Sequence, residues 1–300
     1  MSSARLRPAR ALMRRLAVTT SLVGAIVASL ATTSIAGAAT QPIFYLDIGA
    51  SVSVGVQPTP TNPLGQPTDR GYANRLVALE ASRGVTLQLT ELGCPGESTT
   101  TMINGGDKCY KAPDNQLADA LAFLKAHEGQ TGLVTLDLGF NDIAPCLRGL
   151  TVNTDCVNQS IALLQSQLPT IIAALKNEAG PNVTFVGLNH YNPYLARALT
   201  SSRGAKFAAA SVGVIQQLNT TLQQVYSSFS IPTANVVKSF TLNAPHQKKT
   251  PMINNIPVNA VQACSLTWMC SHPPYGPNIH PNNAGYEAIT DAIAALLPKW

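Results

Sequence analysis

Charged residues are scarce in this sequence, and after the first fifteen residues they carry no net charge. Only 12 % of the 300 residues are Asp, Glu, Lys or Arg, and the formal net charge is +5. All of this surplus comes from arginines before residue 16, where no acidic residue occurs. A basic surface for nucleic acid therefore has no support, and we expect no nucleic-acid partner.

Long hydrophobic runs are missing after residue 40, so nothing in that part of the sequence indicates a membrane span. Repeats and low-complexity linkers are missing as well. A stretch of about 260 residues is long enough for one large domain with a substantial core. We therefore predict a single domain over residues 40–300.

One long run of small and apolar residues does occur, from Leu16 to about Ala39, after an arginine-rich start. It ends in Ala36-Gly37-Ala38, a pattern typical of signal-peptide cleavage. We expect residues 1–39 to be a signal peptide and the protein to be secreted. An uncleaved membrane anchor is the alternative, because the run is almost long enough to span a bilayer. Arg14-Arg15 permits twin-arginine export, and the sequence does not decide between the export routes.

Six cysteines stand in three close pairs along the chain: Cys94 with Cys109, Cys146 with Cys156, and Cys264 with Cys270. Disulfides are the leading explanation in an exported protein, although nearest-neighbour pairing is only one of the connectivities that six cysteines allow. A zinc site is the alternative, but the sequence has no C-x-x-C and its histidines lack ligand spacing. We expect three disulfides and no metal.

Apolar runs typical of buried strands alternate with stretches that have apolar residues at helical spacing. This alternation predicts an α/β fold with a mostly parallel sheet covered on both faces. Sites in such folds lie beyond the carboxyl ends of the strands. The predicted strands are 43–48, 85–92, 133–138, 183–188 and 235–240. The predicted helices are 71–82, 115–127, 156–178, 204–228 and 283–297.

Four short motifs lie next to these elements. Three follow the first three strands: Gly49-Ala50-Ser51-Val52-Ser53, a loop from Leu92 to Thr100 that contains Gly96, and Gly139-Phe140-Asn141-Asp142. The fourth, Asn278-Ile279-His280-Pro281, opens the last helix. Each motif taken alone is ordinary loop sequence, and Ser51 alone indicates a turn serine that caps a helix. The first motif is not the G-x-S-x-G elbow either, because its second glycine is missing.

Taken together and in this order, the motifs resemble those of the SGNH (GDSL-like) hydrolase superfamily, which is named for Ser, Gly, Asn and His in four blocks. Ser51, Gly96, Asn141 and His280 match these four residues. The resemblance implies a flavodoxin-like three-layer α/β/α fold and a secreted serine esterase or lipase. Such an enzyme hydrolyses carboxylic esters through an acyl-serine intermediate without a cofactor. The cysteine pairs also look like those of secreted actinobacterial lipases and esterases of this superfamily.

The chemistry of ester hydrolysis gives each matched residue a role. Ser51 is the expected nucleophile and His280 its base, because a serine hydroxyl is weak until a base takes its proton. The tetrahedral intermediate carries negative charge that N–H donors must meet. We expect this oxyanion hole to consist of the backbone N–H groups of Ser51 and Gly96 and the side-chain amide of Asn141.

Two positions depart from the superfamily pattern. Ala50 replaces the Asp of the usual Gly-Asp-Ser block, an acid that is usually structural. Pro277 stands three residues before His280, where an Asp usually orients the histidine. We therefore predict a Ser51–His280 dyad whose histidine is oriented by a main-chain carbonyl of Pro277 or a neighbour. The Asn278 side chain is the second candidate.

Other polar and aromatic residues are expected to be structural. Asp47 and Asp137 both precede a strand-end glycine by two residues, so they are expected to be neighbours on adjacent strands. Asp142 is expected to fix its own loop. Trp268 and Met269 either wall an apolar acyl pocket or pack in the core. The remaining histidines are expected at the surface or in loops: His127, His190, His246 and His272.

Three functions remain open. The first is hydrolysis of a lipid or short-chain ester, and the second is removal of acetyl groups from a polysaccharide, because substrate contacts lie in variable loops. The third, suggested by Ala50 and Pro277, is a catalytically silent protein that binds a glycan or lipid. The expected partner is accordingly a small-molecule ester, a lipid or an acetylated glycan. The sequence does not indicate acyl-chain length or oligomeric state.

Overall fold

A computed structural model describes residues 42–241, 252–253 and 256–300 of the chain. The predicted signal peptide, its membrane-anchor alternative and His246 lie outside these residues. One compact unit contains all of the described residues. None of the helices in these ranges is both long and apolar enough to cross a membrane.

Strands and helices alternate along most of the described chain. The strands are β1 Ile43–Gly49, β2 Leu87–Glu91, β3 Gly132–Asp137, β4 Leu147–Arg148, β5 Thr151–Val152, β6 Val183–Leu188, β7 Thr233–Ala234, β8 Met252–Ile253 and β9 Ile256–Pro257. The helices are α1 Tyr72–Ser82, α2 Thr99–Asn104, α3 Gln116–Ala126, α4 Phe140–Ile143, α5 Thr154–Ala179, α6 Ser202–Ser228, α7 Val236–Thr241, α8 Val258–Leu266 and α9 Asn283–Ala294. Short 3₁₀ helices cover Ala144–Cys146, Pro193–Leu199 and Trp268–Cys270.

The main sheet is parallel and has the strand order β2-β1-β3-β6-β7. This order confirms the predicted α/β class, with the strand order of flavodoxin-like folds. The chain progresses in opposite directions on the two sides of β1, so the loops after β1 and β3 diverge at their carboxyl ends. Ligands bind in the crevice that such a reversal leaves.

Helices cover both faces of the sheet, because successive side chains of a strand point to opposite sides. Phe44, Leu46 and Ile48 of β1 belong to the apolar cluster that also contains residues of α3, α5 and α6. Ile43 and Tyr45 belong to a second cluster, shared with α1 and α9. The result is the three-layer α/β/α arrangement of SGNH hydrolases.

The predicted strand at residues 235–240 is wrong. The edge strand β7 ends at Ala234, and helix α7 begins at Val236. The side chain of Asn235 explains the change, because its Oδ1 accepts a hydrogen bond from the backbone N–H of Lys238 at 3.0 Å. An asparagine in this position satisfies a donor of the first helical turn and so favours a helix start.

Three disulfides join the nearest-neighbour cysteines: Cys94–Cys109, Cys146–Cys156 and Cys264–Cys270. They close loops with sequence separations of 15, 10 and 6 residues. The first loop contains Gly96, and the third contains Trp268 and Met269. Each of these two bridges therefore constrains a loop next to one of the four motifs.

We expect removal of the Cys94–Cys109 bridge to lower the free energy of unfolding most, because the entropic effect of a disulfide grows with the loop it closes. Replacing both cysteines by serine should cost about 3 kcal/mol, and the corresponding change at Cys264 and Cys270 should cost less. Urea denaturation of the two double variants measures this order. Titratable thiols in the native protein, or equal losses in both variants, would contradict the expectation.

Candidate active site

All four motif residues line one pocket at the carboxyl edge of the sheet: Ser51, Gly96, Asn141 and His280. The pocket has a volume of about 290 Å³. It lies where β1 and β3 diverge, as expected for a site at the reversal of strand order. The loops after three neighbouring strands and the segment before α9 thus converge on a single cavity.

The turn that carries Ser51 is held tightly against β3. Every residue of β1 is buried, and its last residue, Gly49, has φ +148°. A Cβ atom at Gly49 would lie 2.4 Å from the carbonyl oxygen of Asp137, so only glycine allows the two strands to approach here. The backbone N–H of Ala50 donates to that same oxygen (3.1 Å), and the N–H of Ser53 donates to Asp137 Oδ2 (3.1 Å). These bonds fix the position of the serine between them.

Gly96 occupies the third position of a tight turn. The backbone N–H of Glu97 donates to the carbonyl of Cys94 at 3.0 Å, with Pro95 second and Gly96 third. Gly96 has φ +100°, and proline followed by a residue with positive φ is typical of a type II turn. Helix α2 begins directly afterwards with a capping box between Ser98 and Thr101. The backbone conformation therefore requires glycine at this position.

Asn141 connects the third motif to the second. It lies in helix α4, and its Nδ2 donates to the carbonyl oxygen of Glu97 at 3.0 Å. Asp142 accepts the backbone N–H of Thr99 at 3.2 Å, so it holds the start of α2. The hydrogen bonds of the Asp142 side chain therefore hold the neighbouring segment, whereas the sequence predicted that it fixes its own loop. Burial raises the pKa of the Asp142 carboxyl.

The acceptor for His280 is the side chain of Asn278, so the predicted main-chain carbonyl is wrong. The Oδ1 atom of Asn278 lies 2.7 Å from Nδ1 of His280 and also accepts the backbone N–H of His280 at 2.9 Å. The Nδ2 atom of Asn278 donates to the carbonyls of Pro63 (2.9 Å) and Leu64 (3.2 Å). Those carbonyls are distant in sequence, which is why motif spacing could not favour Asn278 over Pro277.

Burial lowers the pKa of His280 to about 4. The imidazole is therefore neutral at neutral pH, the form in which it can accept a proton. Within the described ranges no hydrogen bond joins the Ser51 hydroxyl to His280. Catalytic hydrogen bonds are often long before substrate binds, so this geometry is compatible with a base that closes on its nucleophile.

Three further charged or titratable residues line the pocket that the motifs did not indicate as site residues: Asp137, His190 and the exposed Lys108. His190 lies in the loop after β6, in line with the prediction of a surface or loop position, but it is not at the surface, because only 5 % of it is exposed. Its Nε2 must donate to the carbonyl of Leu138 (2.9 Å), and its Nδ1 lies 3.7 Å from Asp137 Oδ1. Burial raises the pKa of Asp137, and the neighbouring His190 lowers it. The sequence could have indicated His190 as a pocket residue only by its position, because it follows β6 at the same edge of the sheet as the motifs.

Asp47, the buried acid of β1, makes only structural contacts, as expected. Its Oδ1 accepts hydrogen bonds from Tyr72 Oη and Thr135 Oγ1, both at 2.6 Å. It lies on the strand adjacent to Asp137, and burial raises its pKa. The bond to Tyr72 connects the sheet to helix α1, and the bond to Thr135 joins two neighbouring strands of the sheet.

The remaining wall of the pocket is mostly apolar. Leu64 stands out, because 81 % of it is exposed although it borders the cavity. Trp268 and Met269 are absent from this wall: Trp268 stacks on Tyr275 and Met269 packs in a separate apolar cluster. The apolar lining residues are Ala50, Val52, Val56, Leu64, Pro95, Phe140, Tyr191 and Ile279.

Glu97 is a buried carboxylic acid directly after Gly96. None of it is exposed, its Oε2 accepts from Gln116 Nε2 at 2.9 Å, and its Oε1 has no hydrogen-bond partner among the described residues. Burial, assisted by the nearby Asp107 carboxyl, raises the pKa of Glu97 to about 8. Asp107 Oδ2 is buried without a partner as well. The Glu97 and Asp107 carboxyls have no donor for these two oxygens while both are ionised. A proton on Glu97 supplies that donor.

We expect the stabilising contribution of Glu97 to be lost at alkaline pH. Its pKa is higher in the folded chain than in the unfolded chain, so its contribution is complete below the unfolded value and disappears as pH rises through about 8. Between the unfolded pKa and the folded pKa of Glu97, the free energy of unfolding should fall by up to about 1.4 kcal/mol per pH unit. Urea denaturation of Glu97→Gln should show a weaker dependence on pH than the wild type, because glutamine keeps a neutral donor. Equal slopes would contradict this origin.

Asp107 also lies near two sulfur atoms, those of Cys94 and Cys109. These sulfurs are joined in a disulfide and offer no thiolate to a metal ion. The three side chains therefore do not form a zinc site of the type considered for the cysteines.

The strand order and the four motif residues in one pocket agree with the SGNH-type carboxylic ester hydrolase that the motifs resemble. The chain belongs to the GDSL-like lipase/acylhydrolase family, whose sequence model matches residues 48–288. This match confirms the resemblance inferred from the motifs.

Solved structures of lipases share the fold. An extracellular lipase from Streptomyces rimosus superposes with a TM-score of 0.54 at 16 % identity, covering 85 % of this chain and 100 % of the lipase. Phospholipase A1 from Streptomyces albidoflavus NA297 gives 0.52 at 17 % identity, with coverages of 85 % and 99 %. The lipase Lip_vut3 from a goat rumen metagenome gives 0.50 at 17 % identity, with coverages of 84 % and 96 %. No curated protein matches the chain in sequence.

Proposed function

We propose that the protein hydrolyses carboxylic esters through an acyl-serine intermediate, with Ser51 as nucleophile and His280 as base. The observation that carries this proposal is the hydrogen bond between His280 Nδ1 and Asn278 Oδ1, in the same pocket as Ser51. Because Oδ1 is an acceptor, the ring hydrogen lies on Nδ1 and Nε2 is free to take a proton. Nucleophile and base then have the roles that acyl transfer requires.

The reaction proceeds in two half-reactions. His280 Nε2 takes the proton of Ser51 Oγ as that oxygen bonds to the ester carbonyl carbon, and the same proton passes to the leaving alkoxide when the ester bond breaks. Water then attacks the acyl-serine, with His280 again taking a proton and returning it to Ser51. The products are an alcohol and a carboxylic acid. Asn278 orients the ring but brings no negative charge, so it stabilises the imidazolium less than a carboxylate does.

The oxyanion hole of this proposal uses the backbone N–H groups of Ser51 and Gly96 and the Nδ2 group of Asn141. One hydrogen of the Asn141 amide is bound to the Glu97 carbonyl, which leaves the second for the substrate oxygen. Gly96 and Glu97 are held by the tight turn and by the Cys94–Cys109 bridge. Donors that are fixed in advance stabilise developing charge most effectively.

The apolar wall supports a lipid or short-chain acyl group as the part of the substrate that enters the pocket. Phe140, Tyr191 and Ile279 present ring and aliphatic surface to the pocket. An acyl chain can bind to such a surface without the hydroxyl-binding groups that a sugar needs. An acetylated glycan is the alternative substrate, which needs only a small part of the pocket for its acyl group. A catalytically silent binding protein is the second alternative.

Secretion and removal of residues 1–39 form part of the proposal. Three disulfides support it, because such bonds persist in oxidising compartments and are rare in the cytosol. The lipase from Streptomyces rimosus that shares the fold is extracellular. Mass spectrometry of the protein from culture medium tests this part: a mature N-terminus near residue 40 is expected, and an intact leader would contradict it.

The function is tested with chromogenic esters of increasing acyl length and with acetylated sugars. With activated esters, whose acylation is faster than deacylation, we expect a burst of about one equivalent of chromophore per chain followed by slower turnover, because the acyl-enzyme accumulates. The dependence of kcat/KM on acyl length then identifies the preferred acyl group. Absence of hydrolysis across the series, together with binding of a glycan or lipid, would favour the silent binding protein.

A further inference from the structure

Asn278 is almost completely buried, at 8 % exposure, and every hydrogen-bonding position of its amide is used. Its Oδ1 accepts twice from His280, from the backbone N–H and from ring Nδ1. Its Nδ2 donates twice, to the carbonyl oxygens of Pro63 and Leu64. A primary amide offers two donor hydrogens and an acceptor oxygen with two lone pairs, so nothing is left unpaired.

Three of these four hydrogen bonds have a direction that cannot reverse. A backbone N–H only donates, and a carbonyl oxygen only accepts. The N–H of His280 must therefore face Oδ1, and the carbonyls of Pro63 and Leu64 must face Nδ2. This fixes the orientation of the amide without reference to the imidazole. Ring Nδ1 then meets an acceptor and must carry the hydrogen, so that Nε2 is the unprotonated nitrogen.

The two carbonyls belong to a structured loop, residues 57–66, which we call the edge loop. Gln57 and Gln66 exchange both backbone hydrogen bonds at its base (3.1 and 3.0 Å), and Thr59 and Asn62 do so in its turn (3.0 and 3.2 Å). Asn62 Nδ2 also donates to the carbonyl of Gly65 at 2.9 Å. Leu64 and Gly65 border the pocket. The edge loop thus forms part of the pocket wall and holds Asn278 at the same time.

We infer that the Pro63 and Leu64 carbonyls are positioning groups for the base: through Asn278 they keep the hydrogen of His280 on Nδ1 and leave Nε2 free for the proton of Ser51. The inference rests on the proposed function. When the edge loop is displaced, two of the bonds that resist rotation of the amide are lost. The amide can then turn Nδ2 toward ring Nδ1, and the hydrogen moves to Nε2. A ring in that tautomer cannot accept the serine proton.

An aspartate at position 278 separates the two functions of the amide. Both of its oxygens are acceptors, so it keeps the hydrogen on Nδ1 in either orientation and needs no help from the edge loop. It has no donor for the Pro63 and Leu64 carbonyls. Asn278→Asp therefore makes the tautomer of His280 independent of the loop, which is the property that the following tests use.

The tautomer is read directly by nitrogen NMR of the histidine side chains. The pKa of His280 near 4 keeps the ring neutral at neutral pH, and His280→Ala identifies its signals among those of five histidines. The wild type should show a hydrogen on Nδ1. Asn62→Ala, which loosens the edge loop away from the pocket, should shift the signals toward a hydrogen on Nε2. Leu64→Ala is the matched control, because it removes a side chain and keeps the backbone carbonyl.

Kinetics in two backgrounds give the second readout. Asn62→Ala should lower kcat by about tenfold in the wild type, the size expected when two hydrogen bonds no longer hold the amide. In the Asn278→Asp background the same change should alter kcat by less than about twofold. Leu64→Ala should change KM for longer esters and leave the nitrogen signals unaltered. Thermal denaturation verifies that each variant is folded.

The outcomes separate this inference from the function on which it rests. An unshifted tautomer in folded Asn62→Ala, or an equal loss of kcat in both backgrounds, would overturn the inference. Neither result would affect the assignment of Ser51 and His280. Undiminished hydrolysis by Ser51→Ala would overturn the proposed function instead, while the NMR signals would still report whether the edge loop sets the tautomer.

Discussion

Ser51→Ala is expected to lower kcat for ester hydrolysis on the order of 10⁵- to 10⁶-fold, because no other Ser, Thr or Cys is among the residues that line the described pocket. The turn that carries Ser51 is anchored by backbone bonds to Asp137, so removing one hydroxyl should leave the fold intact. Initial rates and thermal denaturation of the same preparation measure the two effects separately. Ser166→Ala, which removes an exposed hydroxyl on α5, is the matched control and should behave like the wild type.

Covalent labelling sharpens the assignment of the nucleophile. A fluorophosphonate probe should label Ser51 in the native protein, and labelling should disappear in Ser51→Ala and after heat denaturation. The nearby Ser53 is fully buried and its hydroxyl donates to the carbonyl of Ala50, so it should not react. A label found on Ser53 or Ser98 would contradict the assignment of Ser51.

His280→Ala is expected to cause a loss close to that of Ser51→Ala, because nucleophile and base act as one unit. The double variant should be no less active than either single variant. The exposed His272, in the loop before the last motif, provides the matched control, and His272→Ala should retain full activity. A His280→Ala variant with more than about one hundredth of wild-type activity would exclude His280 as the base.

The pH profile gives an independent measure of the same residue. Burial lowers the pKa of His280 to about 4, so the neutral ring predominates above that value. The rate should therefore rise through about pH 4 and level off above it. An acid limb near the ordinary histidine value instead would show that His280 is hydrated in the working enzyme.

Sequence patterns predicted the order of the main elements because the strands are short apolar runs and the long helices have clear periodicity. The exception at residues 235–240 has a local cause. Val236, Val237 and Phe240 are typical of a strand, but Asn235 caps a helix start and the edge strand β7 has already ended at Ala234. Residue preference favoured a strand there, and a single side-chain hydrogen bond favours the helix.

The motifs also predicted which four residues would meet in one pocket, because each lies beside an element that ends at the same edge of the sheet. They could not predict what Asn278 contacts. The Nδ2 group of Asn278 donates to the carbonyls of Pro63 and Leu64 in the edge loop. Nothing in the spacing of the last motif indicates a contact with that loop. Asp137 and His190 were not predicted to line the pocket for the same reason, since their shared position depends on the pairing of β1, β3 and β6.

The edge loop has a consequence for how new substrate preferences can arise in this enzyme. Surface loops usually tolerate insertions and deletions, and pocket walls commonly diversify through them. Here the same ten residues supply a side chain to the wall and two carbonyls to the support of the base. Variation at the Leu64 side chain can alter selectivity, whereas a change in loop length also alters the proton position on His280. Libraries and natural lineages alike therefore explore this wall by substitution more readily than by changes in length.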